Sequence, residues 1–92
     1  MKEKFRLDIT GISMAALRVH LGIAKEEFHE TVALEAVYNC SAGCYNSRGM
    51  FDGIMLIISA DSIENAGRFM QTLHGVGRRS EVHMFPLHEY EV

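Results

Sequence analysis

Residues 51–60, FDGIMLIISA, constrain this chain more than any other stretch. Five consecutive apolar residues, Ile54-Met55-Leu56-Ile57-Ile58, lie inside it. The run is far shorter than the ~20 residues that span a bilayer. Its β-branched, uninterrupted apolar character reads as a strand buried on both faces, and so as a central strand of a sheet. A central strand needs partners on either side, and the rest of the chain has to supply them.

Phe5, Leu7 and Ile9 alternate with Arg6, Asp8 and Thr10, the period of a half-buried strand. Gly11 ends it and Ser13 is a good N-cap. Met14, Leu17, Leu21, Ala24 and Phe28 then recur at helical spacing, which predicts a helix reaching Glu30. Val32–Asn39 alternates again and reads as a strand, with a continuation of the helix as the alternative, and residues 40–50 follow as a turn-rich connection to the central strand. Beyond Ala60, Asp61-x-x-Glu64 resembles a capping box. Ile63, Ala66, Phe69, Met70 and Leu73 form a second helical face, stopped by Gly75. Glu81–Leu87 reads as a last strand, and Pro86 places it at an edge or marks its end, since proline cannot donate to a ladder.

The order strand, helix, strand, strand, helix, strand predicts an α+β protein of a single domain over residues 1–92. With right-handed crossovers it becomes a ferredoxin-like βαββαβ two-layer sandwich, a four-stranded antiparallel sheet with two helices on one face. The central strand then has one apolar set, either Ile54, Leu56 and Ile58 or Met55 and Ile57, turned away from the helices. Such a face invites a homo-oligomer. The alternative cover is the C-terminal tail.

The formal charge of -3, with scattered basic residues, predicts no nucleic-acid partner. The N-terminal MKEKFRLDIT lacks an apolar signal core, so no membrane partner is expected and a cytoplasmic location is. Cysteines normally stay reduced there. Cys40 and Cys44 are spaced for a metal, but a structural zinc site needs four ligands and no second pair exists. Their spacing is not Cys-x-x-Cys, and Asn39, Gly43 and Asn46 disfavour the helix N-terminus that activates a thiol. They read as two small residues packed near a turn, with no disulfide expected.

Catalytic signatures are missing. There is no Gly-x-Ser-x-Gly elbow, no Walker loop and no Gly-x-Gly-x-x-Gly. The expectation is a non-enzymatic protein without a cofactor or metal. A dimeric α+β barrel enzyme would need a polar group inside its sheet, for which His83 is the late-strand candidate.

Two segments suit anions. Ser47 and Arg48 lie in the 40–50 connection, and Gly77, Arg78 and Arg79 follow the second helix. Glycines expose backbone N–H groups, and guanidinium offers a fork to phosphate or carboxylate. These five are the candidate ligand-binding residues. The layout resembles PII-like signalling proteins, small ferredoxin-like subunits with a long loop between strands two and three and ligands bound between subunits. The resemblance is topological. Residues 74–81 keep Gly-x-Gly-Arg-Arg but lack the family's glycine-rich loop with its lysine. The first functional expectation is thus a ligand-responsive regulatory module, a homo-oligomer binding a small anionic or nucleotide-like ligand. The alternative is a small inhibitor or adaptor docking on a larger protein through its sheet face and loops.

Overall fold

The computed structural model describes residues 2–74, 76 and 79–87. Gly77 and Arg78, and the tail beyond Leu87, lie outside the described residues. The fold is α+β, two helices packed on an antiparallel sheet. Its elements are β1 (Glu3–Thr10), α1 (Met14–Glu27), β2 (Val32–Asn46), β3 (Gly49–Ala60), α2 (Ile63–His74) and β4 (Glu81–Pro86). Among the described residues the strands lie in the order β2-β3-β1-β4.

Alternation sorts each central strand between two faces. Phe5, Leu7 and Ile9 of β1 and Ile54, Leu56 and Ile58 of β3 join Leu17, Leu21 and Ala24 of α1 and Ala66, Phe69 and Leu73 of α2 in one core. Phe28 meets Phe69 edge-to-face, with ring centroids 5.6 Å apart. The set turned away from the helices is therefore Met55 and Ile57, which are half-buried. Their cross-strand partners on that face are Asp8 and Arg6.

Several boundaries differ from the sequence expectation, each for a local reason. The first helix ends at Glu27 rather than Glu30, because Phe28 takes the C-cap position and returns its N–H to the Ala24 carbonyl. Ser13 caps its start, accepting from the Ala16 N–H at 3.1 Å. The second helix is capped by Ser62, whose Oγ accepts from the Asn65 N–H at 3.1 Å, and not by an Asp61–Glu64 box. Asp61 instead accepts from the Asn65 side chain at 2.7 Å.

The largest correction concerns residues 40–50. They do not form a loose connection. β2 runs on to Asn46 and β3 starts at Gly49, so the segment is a continuous hairpin closed by Ser47 and Arg48. Between the pairs Cys40↔Gly53 and Cys44↔Phe51, β2 advances four residues while β3 advances two. A β-bulge thus takes up the turn-forming Ser41 and Gly43. Cys40 and Cys44 are joined by a disulfide across this bulge, with Cα atoms 5.5 Å apart, against the expectation of two reduced packing residues.

Candidate functional site

On a flat sheet the hairpin would project beyond β1. The last β1–β3 pair is Ile9↔Ile54, and Gly49 lies five residues further along β3, about 16 Å away in extended geometry. Yet Asn46, the partner of Gly49, donates from Nδ2 to Asp8 Oδ2 at 2.7 Å. The hairpin therefore folds back over the face opposite the helices. The bulge bends β2 there. On β3, Gly53 lets the strand turn: a Cβ there would collide with the Ile9 carbonyl oxygen and the Phe51 ring. Cys40, Cys44, Asn46 and Phe51 share the inner side of the curl, with Cys40 and Phe51 buried. Tyr45 and Met50 occupy the outer side, 66% and 70% exposed.

This cover explains a feature that alternation alone misreads. Arg6 and Asp8 are the polar half of the β1 alternation, on the face turned away from the helices, but they are only 6% and 1% exposed. Buried charges need partners. Arg6 Nε donates to Asp8 Oδ1 at 2.8 Å. With Asn46 on Oδ2, both carboxylate oxygens are engaged. Asn46 is itself aligned, because its Oδ1 accepts from the Arg48 N–H at 2.8 Å. One amide side chain thus orders the turn and docks it on β1.

The hairpin then crosses β1 and reaches β4. Arg48 Nη1 lies 3.4 Å from His83 Nε2. Guanidinium only donates, so His83 accepts through Nε2. His83 is the cross-strand partner of Asp8. The resulting polar group, Arg6, Asp8, Asn46, Arg48 and His83, draws on β1, the hairpin and β4.

Of the residues expected to bind ligand, Ser47 and Arg48 sit together at the exposed turn. Arg79 is exposed and stands four residues before His83, within about 14 Å of backbone reach. Its carbonyl packs on Gly11, where φ is +78° and a Cβ would overlap the Arg79 carbonyl. The loop before β4 is thereby fixed to the end of β1. Gly77 and Arg78 are outside the described residues. Arg6 and Asp8 were not among the expected residues. Two opposite charges two apart, on one face of a central strand, are the signal that points to them. At the other end of the sheet, Lys25, His29, Val32, Ala33 and Leu34 line a separate cleft of about 240 Å³.

No protein-family model matches the chain. No curated protein matches it. Among solved structures it is similar to the uncharacterized protein TM1266 from Thermotoga maritima, at 20% identity and a TM-score of 0.52. That likeness covers 95% of this chain and 99% of the other. At such identity it shows the fold alone, an α+β protein with two helices on an antiparallel sheet. Among the described residues no helix is long and apolar enough to cross a membrane.

Proposed function

We propose that this chain is a non-enzymatic regulatory module of ferredoxin-like topology that binds a small anionic or nucleotide-like ligand as a homo-oligomer in the cytoplasm. One observation carries the reading. The curled hairpin brings Arg48 to His83 on β4, the strand that follows the loop bearing Arg79. Two basic segments far apart in sequence thus share one end of the sheet. Arg48 supplies the planar fork that suits phosphate or carboxylate, Ser47 a hydroxyl beside it, and Arg79 a second cation, with Gly77 and Arg78 just before it in sequence. Self-association is supported by Met55 and Ile57 on the face away from the helices, next to Tyr38, which is 49% exposed.

The adaptor reading also has an observation in its favour. Tyr45 and Met50 stand side by side as a cross-strand pair on the outer side of the hairpin, largely exposed. Aromatic and methionine side chains so placed are common anchors for a protein partner.

The experiment is thermal unfolding of wild type, Arg48→Lys and Arg79→Lys with inorganic phosphate, nucleotides and phosphorylated metabolites. A ligand at a hundredfold excess over its Kd stabilises by about 2.7 kcal/mol. For a domain of this size that raises Tm by roughly 10–20 °C. The ligand reading expects such a rise in wild type and its loss in the lysine variants, because lysine cannot make the bidentate fork. No rise with any anion favours the adaptor.

A further inference from the structure

We infer that Cys40 and Cys44 form a redox-sensing site whose oxidation state selects the register of the hairpin tip. The inference stands on the hairpin geometry and does not depend on ligand binding. A disulfide holds two Cα atoms roughly 4.4–6.8 Å apart. Four residues of straight strand separate them by about 13 Å. The observed 5.5 Å between Cys40 and Cys44 exists because β2 bulges between them. The crosslink therefore requires the bulge, and a β2 without the bulge cannot carry the crosslink.

The alternative pairing is at hand. The bulge holds two residues more on β2 than on β3, an even number. Sliding β2 by two removes the bulge and, because the side-chain period is two, keeps Cys44 and Asn46 on the face they already occupy. Ala42 then stands opposite Phe51 and Cys44 opposite Gly49, in place of Cys44↔Phe51 and Asn46↔Gly49. Three pairs close the tip in either register. The two-residue turn becomes a four-residue loop, Tyr45 to Arg48, also a common hairpin length. What distinguishes the registers is the disulfide together with the tip contacts, Asn46 on Asp8 and Arg48 on His83. In the slid register Asn46 and Arg48 leave the strand ends that place them. Reduction thus undocks the tip from the buried Arg6–Asp8 pair, and oxidation docks it.

The chemistry is exchange with a dithiol reductant. One of its thiolates attacks Cys44 Sγ, the more exposed of the two residues, and Cys40 departs as a thiolate. The reductant's second thiolate attacks the mixed disulfide and releases Cys44. Two electrons pass to the cysteine pair, each thiolate takes up a proton, and the reductant leaves as its own disulfide. In a compartment that keeps most thiols reduced, disulfides that do form are mainly of this cycling kind.

The test is isotope-edited NMR and amide exchange on the whole chain, oxidised with glutathione disulfide and then reduced with dithiothreitol. Cys40→Ser/Cys44→Ser serves as a permanently reduced form. The oxidised protein is expected to show cross-strand contacts between Cys44 and Phe51. The reduced protein and the double variant are expected to pair Ala42 with Phe51, to lose the Asn46–Asp8 contact, and to exchange the amides of residues 45–50 at least tenfold faster. Leu7 and Leu56 should be unchanged. The inference is overturned if the reduced protein keeps Cys44 opposite Phe51 with unchanged exchange, or if oxidation does not join Cys40 to Cys44. It is equally overturned if Leu56 exchange rises together with the hairpin, which is global unfolding. Should the double variant fail to fold, the dithiothreitol titration of wild type decides by the same criteria.

Discussion

On the helix side of the sheet, Leu7, Leu17, Leu56, Ile58 and Leu73 bury one another completely. On the opposite side Arg6 and Asp8 are almost as inaccessible, and there a hairpin is docked on Asp8 through a side-chain hydrogen bond. The first kind of burial is non-directional. Each large apolar side chain contributes about 1.5–3 kcal/mol, and neighbours share the loss when one is trimmed. The second kind is directional and conditional. A buried ion pair contributes little net stability, yet becomes costly when one member is removed. One face makes the chain fold, and the other holds the hairpin in place.

That contrast can be broken from either side. The largest effect is expected on the polar face. Asp8→Leu leaves the Arg6 charge buried without its carboxylate, and should cost about 3–5 kcal/mol in urea unfolding. Changing both, Arg6→Met with Asp8→Leu, should recover most of that loss, because the penalty belongs to the stranded charge and not to the lost pair. If the double variant were as unstable as the single, the open face would be held like a core, by shape. Leu56→Ala should cost about 2–5 kcal/mol through the cavity it leaves. Its loss should spread over the whole domain, so that the amides of the hairpin and of β1 lose protection together.

The same contrast marks what the sequence discloses. The helix side is legible because burial there follows period: Phe5, Leu7 and Ile9 by twos, Leu17, Leu21, Ala24 and Phe28 by threes and fours. Ser13 could be read as a cap for an equally local reason. The hairpin was not legible. Ser41, Gly43, Asn46, Ser47 and Gly49 carry turn chemistry, and nothing local says that a bulge absorbs the first two while only Ser47 and Arg48 turn. The burial of Arg6 and Asp8 was hidden for a related cause. Alternation assigns faces but does not know that a segment 38 residues away folds over one of them. Compartment and metal-ligand spacing argue against a pairing of the cysteines, whereas their pairing follows from bulge geometry. Arg48 stands out in the sequence for its chemistry, and its partner His83 only emerges once the hairpin crosses β1.

The central claim is that the hairpin tip is docked on β1 by Asn46 and Asp8. A double-mutant cycle of Asn46→Ala and Asp8→Asn, read by urea unfolding of the oxidised protein, tests it most directly. Hydrogen bonds to a charged group are worth about 1.5–3 kcal/mol, and residues in contact couple while distant ones do not. The account predicts a coupling energy of about 1–3 kcal/mol between these two positions. Additivity within about 0.5 kcal/mol would mean that they do not touch, and that the hairpin does not lie across the sheet.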